Sequence, residues 1–188
     1  MCMPKNNLML ILASALLVAA VTPEANAVDG SLNVGKNFTD LTVGMGQESE
    51  GLYINGNWIK NNENGREKTG AEAGLNMKAG AVDVNVGIQA DYVKGAAGSS
   101  EGVVFPVGVG VTIPVISQVA LYGSMYTAPR QMSNTAKSYL DADAGVSWKP
   151  IDLVTLKAGY RYIGMDGKGT RDNQRLVEGP YVGGQINF

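Results

Sequence analysis

The chain has 188 residues, 45% of them hydrophobic, and its 15 basic and 17 acidic residues leave a formal net charge of −2. A balance this even, without a basic stripe, predicts no nucleic-acid partner. Cys2 is the only cysteine, and histidine is absent. The composition therefore excludes a disulfide framework and any mechanism or zinc site that needs an imidazole.

Residues 1–27 have the pattern of a secretory signal peptide. Lys5 precedes the apolar run 8–21, and Ala25 and Ala27 are small residues at the two positions that signal peptidase reads. We predict cleavage after Ala27, which removes Cys2 and leaves residues 28–188 as the mature domain. The alternative is an uncleaved anchor helix, since residues 6–23 carry no charge and nearly reach spanning length.

The mature chain alternates apolar and polar residues with a period of two. Between residues 82 and 92, valine, isoleucine, alanine and tyrosine fall on one face and polar residues and glycine on the other. No apolar run after residue 28 is long enough for a transmembrane helix. If this region enters a membrane, it must form a closed antiparallel β-barrel, because lipid leaves no partner for unpaired backbone groups.

The alternation predicts ten strands of an up-and-down barrel. They lie near 28–36, 40–48, 51–60, 69–78, 81–93, 102–115, 118–128, 138–149, 153–164 and 178–188. The alternative is eight strands, if residues 28–48 form no separate hairpin. The weakest strand is the sixth, where Pro106 and Pro114 fall on the inward face and cannot donate to a ladder.

The connections between these strands alternate in length, as in outer-membrane barrels. Those at 49–50, 79–80, 116–117 and 150–152 are short, and those at 61–68, 94–101, 129–137 and 165–177 are longer and polar. Only the first connection, near residues 37–39, breaks the rule.

Two features favour lipid outside the barrel rather than a soluble β-sandwich. The apolar face is rich in alanine, glycine and valine, which make a poor core but an adequate lipid contact. The chain also ends on Phe188, with Ile186 and Val182 on the same face, similar to the terminal strand that the barrel assembly machinery recognises. Four aromatics near the predicted strand ends suit interfacial girdles: Trp58, Tyr92, Trp148 and Tyr162.

Several segments resemble one family of enterobacterial outer-membrane proteins, the YfaZ family. They are Gly159-Tyr-Arg-Tyr-Ile-Gly-Met-Asp-Gly-Lys-Gly-Thr-Arg-Asp-Asn173, Glu178-Gly-Pro-Tyr-Val-Gly-Gly184, Gly35-Lys-Asn-Phe-Thr-Asp40, Gly56-Asn-Trp58, Lys137-Ser-Tyr139 and Ala144-Gly145. The resemblance covers essentially the whole mature chain. It implies an outer-membrane barrel and implies no particular activity.

The inward polar residues predict a charged lumen. We assign the lumen charge cluster to Asp141, Asp143, Lys157, Arg161, Glu72, Asp83 and Asp91. Carboxylates beside cations in a narrow lumen favour a salt-bridged plug over catalysis, and we predict no catalytic residue. The loop 166–172 resembles a calcium loop, but Lys168 stands at a ligand position, so we predict neither a metal site nor a cofactor.

The simplest turn at 150–152 places Val146 opposite Leu156 and Asp141 directly opposite Arg161. This register predicts that exchanging Asp141 and Arg161 restores part of the stability that Arg161→Ala loses.

These patterns predict a non-enzymatic outer-membrane barrel with a structural or surface-interaction role and a lumen filled largely by polar side chains. The alternative is a narrow porin-like channel for small solutes, since a ten-stranded barrel is only slightly wider than one that side chains fill. The partners we expect are outer-membrane lipid and lipopolysaccharide, with the barrel assembly machinery and periplasmic chaperones during biogenesis.

Overall fold

The structure is a computed structural model that describes residues 28–96, 100–134, 136–167 and 173–188. The predicted signal peptide, residues 1–27, lies outside the described residues. The strands are β1 (Val28–Gly35), β2 (Phe38–Met45), β3 (Gly51–Asn61), β4 (Glu67–Ala79), β5 (Val82–Ala96), β6 (Ser100–Val104), β7 (Val107–Ile116), β8 (Val119–Pro129), β9 (Ala136–Ile151), β10 (Val154–Gly167) and β11 (Gln174–Asn187), and a 3₁₀ turn spans Arg130–Met132. No helix within these ranges is long and apolar enough to cross a membrane.

The strands close into an antiparallel barrel with ten positions in its wall. Apart from β6 and β7, which do not pair with each other, consecutive strands pair, and β1 pairs with β11 to close the ring. Strands β6 and β7 both pair with β5 and together occupy one position. The prediction of ten strands is therefore confirmed, and the alternative of eight is wrong.

Proline accounts for the irregular sixth position. The wall strand is interrupted at Phe105 and Pro106, between β6 and β7, because Pro106 has no N–H for the ladder. Its carbonyl still accepts from the Gln89 N–H at 2.8 Å. The second proline, Pro114, stands beside a register shift in the β7–β8 pairing.

A short segment replaces a strand beside β6. Strand β8 pairs with β7 only as far as Val107, so the other edge of β6 faces residues 132–134 instead. The Phe105 N–H donates to the Met132 carbonyl at 2.8 Å, and the Asn134 N–H donates to the Val103 carbonyl at 3.2 Å. The Val103 N–H donates to Asn134 Oδ1 at 2.9 Å. We call this contact the β6 seam.

The predicted faces are confirmed along the strands. On β3, Leu52 is 77% exposed on the outer face, whereas its neighbour Tyr53 is 4% exposed inside. On β5, Ile88 is 51% exposed and Gln89 is 4% exposed. The apolar face is therefore the outer surface of the barrel, where the sequence predicts lipid, and the polar face lines the lumen.

The turns divide the barrel into two ends. The β4–β5, β7–β8 and β9–β10 connections are short, as predicted, with two residues each, and share one end with both chain termini. At that end the β2–β3 connection, residues 46–50, is longer than predicted. The β1–β2, β3–β4, β5–β6, β8–β9 and β10–β11 connections lie at the opposite end. In outer-membrane barrels the short turns face the periplasm, which makes the opposite end the outer one.

The predicted β9–β10 register is wrong by two residues. Leu156 lies opposite Trp148 rather than Val146, and Arg161 lies opposite Asp143 rather than Asp141. The cause is the position of the turn, which lies at residues 152–153 and pairs Val154 with Ile151, three residues away from the predicted register. The register shift between Val154 and Leu156 then reduces this offset to two residues.

Candidate functional site in the barrel lumen

A buried lysine crosses the lumen from the outer end of β4. Lys68 of β4 is completely buried, and its Nζ lies 3.0 Å from both Asp91 on β5 and Asp141 on β9. The Tyr139 hydroxyl lies 3.3 Å from the same nitrogen and donates to Asp91 at 3.3 Å. Since β4 and β9 lie on nearly opposite sides of the ring, Lys68 bridges the lumen.

Arginine extends this bridge to a third side of the wall. Arg161 of β10 lies 3.1 Å from Asp141 and 2.7 Å from Asp40 on β2. Asn33 donates to the same carboxylate of Asp40 at 3.2 Å. We call the alternating chain Asp91–Lys68–Asp141–Arg161–Asp40 the ion network.

The ion network is sensitive to the loss of one member. Buried charges are expensive to desolvate, and removing one partner of a buried pair costs about 3–5 kcal/mol because the other charge remains. The network contains three carboxylates and two cations, so neither cation can be lost without leaving two carboxylates uncompensated. Within the described ranges, Asp91 Oδ1 and Arg161 Nε are buried and have no hydrogen-bond partner.

Tyrosines form two further cross-links nearer the periplasmic end. Tyr53 and Tyr126 each donate to Glu72 Oε1 at 2.5 Å, and Asn55 and Gln89 donate to its other oxygen at 3.3 and 3.2 Å. This carboxylate is thus held by four uncharged donors.

The second cross-link joins β8, β9 and β11. The hydroxyls of Tyr122 and Tyr181 lie 2.5 Å apart, and Tyr181 donates to Asp143 at 2.8 Å. We call the Glu72 and Asp143 groups the tyrosine clasps.

Glycine makes room for these tyrosines. A Cβ on Gly87 would lie 2.6 Å from the Tyr53 hydroxyl, and one on Gly145 would lie 2.5 Å from the Tyr122 hydroxyl. Inward glycines next to large polar side chains therefore account for part of the 25 glycines in the sequence.

The outer end of the lumen is apolar, which the sequence did not predict. The outer apolar cluster consists of Phe38, Ile59, Val93, Val104, Ala128, Ala136, Tyr139, Ile163, Met165, Leu176, Val177 and Tyr181, of which Tyr181 lies midway along β11 and also belongs to a tyrosine clasp. The expectation of a lumen filled largely by polar side chains thus holds for the middle and fails at the outer end. Register shifts in β10 beside Ile163 and Gly167 interrupt the alternation there, so the sequence pattern no longer separates two faces.

A turn covers part of the periplasmic mouth. Glu48, in the β2–β3 connection, lies 2.8 Å from Lys149 on β9 and accepts from Asn187 at 2.8 Å. Asn76 donates to the carbonyls of Gly46 and Gln47 at 2.8 and 3.0 Å. We call residues 46–50 the periplasmic strap, because they connect walls on nearly opposite sides of the ring.

The predicted lumen residues fall into three groups. Asp91, Asp141 and Arg161 belong to the ion network, and Glu72 and Asp143 belong to the tyrosine clasps. Lys157 Nζ lies 5.8 Å from the centre of the Tyr122 ring and forms no ion pair within the described ranges. Asp83 is exposed near the periplasmic end, opposite Lys78, and is not brought together with the others.

Two members of the ion network, Lys68 and Asp40, were missed. Lys68 lies on the same face as Glu72, but the predicted fourth strand begins one residue after it, at residue 69. Asp40 begins the predicted second strand and shares its inward face, but it lies outside the predicted charge cluster. A fourth strand that began one residue earlier would have included Lys68 on its inward face. No local pattern in the sequence pairs Lys68 with Asp141, which is 73 residues away.

The predicted girdle aromatics lie on the lipid-facing surface near both ends. Trp58 Nε1 donates to Glu67, and the Tyr92 hydroxyl donates to Glu101, both near the outer end. Tyr162 shares that end, and Trp148 is 47% exposed at the periplasmic end.

The terminal residues predicted as the assembly signal also face outward. Val182, Ile186 and Phe188 are 66%, 45% and 75% exposed. The Phe188 N–H donates to the Val28 carbonyl at 2.8 Å, so the end of the chain completes the ring.

The part of the chain that the structure describes contains no group of three residues able to hold a metal ion. Most of the loop 166–172 that resembles a calcium loop lies outside the described residues.

Comparison with known proteins identifies the family. A sequence profile described as YfaZ precursor matches residues 8–188. The outer membrane protein YfaZ of Escherichia coli K12 is 36% identical over 178 residues, which cover 94% of this chain and 96% of the relative. The chain belongs to the YfaZ family. It is an outer-membrane β-barrel protein.

Solved structures give weaker likenesses to this YfaZ-family barrel. A KdgM porin in complex with disordered oligogalacturonate is 10% identical, with a TM-score of 0.49 over 86% of this chain and 99% of the porin. Neisserial surface protein A is 16% identical, with a TM-score of 0.37 over 86% of this chain and 95% of that protein. Neither likeness bears on function, which has to be argued from the lumen itself.

Proposed function

We propose that this YfaZ-family barrel is a sealed, non-conducting and non-enzymatic outer-membrane protein with a structural or surface-interaction role. The observation that carries the proposal is the ion network across the lumen. Its central ammonium, on Lys68, is completely excluded from solvent. A conducting pathway would require water beside that group.

Two other layers support the seal. The outer apolar cluster fills the lumen above the ion network, and several of its members, including Phe38 and Ile59, have no exposed surface. The tyrosine clasps cross the lumen on the periplasmic side, and the periplasmic strap covers part of the mouth below them. An ion crossing the barrel would have to displace an apolar packing layer, a salt-bridged layer and hydrogen-bonded aromatic rings.

The state of the carboxylates supports a non-enzymatic role. A general base needs a free lone pair directed at its substrate. Asp141 instead contacts two cations, and Glu72 accepts four hydrogen bonds. The absence of histidine from the whole sequence removes the other common base.

Conductance in planar bilayers tests the seal. We expect the wild-type barrel, inserted at a density verified by its folded gel band, to give no discrete channel steps. Arg161→Ala removes the cation between Asp141 and Asp40 and should allow steps to appear, whereas Lys78→Ala, at the exposed periplasmic rim, should remain silent. Regular steps from the wild type would overturn the proposal.

The alternative is a narrow porin-like channel. The observation that favours it is the partial exposure of the Arg161 side chain, 15%, which brings water to one edge of the ion network. Wild-type steps that become larger in Arg161→Ala would identify the ion network as a constriction and support this alternative.

The partners follow from the proposed role. We propose outer-membrane lipid and lipopolysaccharide as the surroundings, and the barrel assembly machinery and periplasmic chaperones as partners during biogenesis. The outward Phe188 and the apolar lipid face support these assignments.

A further inference from the structure

A row of alternating charges crosses four neighbouring wall positions near the outer end, on the lipid-facing side. Lys60 on β3 lies opposite Glu67 on β4, which lies opposite Lys94 on β5. Glu101 on β6 follows beside the irregularity that begins after Val93. We call Lys60, Glu67, Lys94 and Glu101 the rim row.

The two carboxylates of the rim row are held by the aromatics beneath them. The indole N–H of Trp58 donates to Glu67, and the hydroxyl of Tyr92 donates to Glu101. Trp58 and Tyr92 each precede a rim lysine by two residues and lie in one register row, opposite Thr69 on either side. The rim row therefore lies directly above the outer girdle.

The two lysines of the rim row have no charged partner in the described part of the chain. Both are exposed, and no carboxylate there lies within 4.0 Å of either ammonium. The neighbouring carboxylates of Glu67 and Glu101 accept hydrogen bonds from Trp58 and Tyr92 instead. The ammoniums are thus available to a ligand from outside the protein.

The height of the rim row identifies its surroundings. Aromatic girdles lie at the membrane interface, and two residues along a tilted strand rise about 5 Å further from the bilayer centre. That position is the head-group layer of the outer leaflet. Lysine is a compact point charge that binds phosphate well.

We propose that the rim row binds the phosphorylated head group of an outer-leaflet glycolipid. Lys60 and Lys94 contact its phosphates, and Glu67 and Glu101 each offer the carboxylate oxygen that is not bonded to an aromatic to the divalent cations that neighbouring phosphates share. The alternation of charge along the row supports this class of ligand, because a lattice of phosphates and divalent cations presents the complementary alternation. This inference does not depend on whether the lumen conducts.

Native mass spectrometry of the refolded barrel tests the proposal, with bis-phosphorylated lipid A and magnesium as the probe. The double variant Lys60→Gln/Lys94→Gln should retain about tenfold less lipid A than the wild type, as expected for two head-group lysines. Lys60→Arg/Lys94→Arg should retain it. The control Lys78→Gln removes an exposed lysine from the other end of the barrel and should have no effect.

The second arm uses the same lipid stripped of both phosphates. The wild type should retain this lipid weakly, and the Lys60→Gln/Lys94→Gln variant should retain it to the same extent as the wild type. Equal retention of the two lipids, or equal loss in Lys78→Gln and the double variant, would overturn the proposal and assign retention to the acyl chains. Every variant must first show the folded gel band, so that a loss of binding reports on the rim row.

Discussion

Lys68 and Glu72 lie four residues apart on the inward face of β4, and their charges are balanced in different ways. Lys68 is surrounded by two carboxylates, so its charge is met by opposite charges. Glu72 is met by four uncharged donors on three other strands. Removing the Lys68 ammonium leaves two buried carboxylates without their cation. Neutralising Glu72 leaves only uncharged hydrogen-bond donors.

This difference predicts unequal costs. Lys68→Met should destabilise the barrel by about 3–5 kcal/mol, because Asp91 and Asp141 keep their charges. Glu72→Gln should cost about 1–3 kcal/mol, since only hydrogen bonds are impaired. The temperature at which the folded gel band disappears measures both, with Lys78→Met as the exposed control. Equal shifts in the two lumen variants would contradict the assignment.

The charge exchange between Asp141 and Arg161 now has a different expected result. The sequence-based register predicted partial rescue, but Asp141 also binds Lys68 at 3.0 Å. An arginine at position 141 would lie beside that lysine, and an aspartate at position 161 would lie beside Asp40. We therefore expect the exchange to be less stable than Arg161→Ala, as judged from the same gel transition. Rescue by the exchange would mean that Lys68 does not reach Asp141.

The cost in stability of replacing a lumen glycine should depend on the tyrosine that it contacts. Gly87→Ala places a methyl group 2.6 Å from the Tyr53 hydroxyl and should cost about 1–3 kcal/mol through overpacking. In Tyr53→Phe the same glycine substitution should cost clearly less, because the clashing oxygen is gone. Gly56→Ala, on the lipid-facing side with its closest contact at 3.9 Å, is the matched control. Additive costs in the double variant would argue against the contact.

At the scale of the strand, the sequence predicts which side chains face outward and which face the lumen, but it does not predict which residues lie opposite each other on neighbouring strands. Alternation follows directly from strand geometry, so Leu52 and Tyr53 could be assigned to opposite sides without a structure. Register depends on turn geometry, and the β9–β10 turn at residues 152–153, together with the register shift that follows it, places Arg161 opposite Asp143 instead of Asp141. The outer apolar cluster was missed for the same reason, since bulges place neighbouring residues such as Leu176 and Val177 both inside.

The last strand provides a test of assembly. Phe188→Asp should lower the amount of barrel inserted in the outer membrane, because the charged side chain replaces an outward aromatic on the strand that closes the ring. Phe188→Trp should insert normally. Outer-membrane fractionation measures both, and normal levels of the aspartate variant would show that the aromatic terminus is not part of the assembly signal.

At the scale of the whole molecule, the seal and the closed ladder should make the barrel resist detergent at room temperature. The unboiled protein should migrate differently from the boiled protein on a gel, since lipid-adapted barrels satisfy every backbone bond internally. Mass spectrometry of the same sample should give a chain beginning at Val28. Identical mobility with recovery in the soluble periplasmic fraction would contradict the membrane assignment, and an uncleaved mass would contradict the signal peptide.

The β6 seam sets where the wall opens first. Elsewhere two strands pair directly along most of their length, but at the seam the five-residue strand β6 is joined to residues 132–134 by a few bonds, one of them to a side chain. Amide protons of Val103 and Phe105 should therefore exchange with deuterated solvent faster than those of Val84 and Val86 on β5. Faster exchange at these two amides would report a local opening of the wall at the β6 seam. Such an opening would connect the outer apolar cluster with the surrounding lipid, and not with the two ends of the barrel.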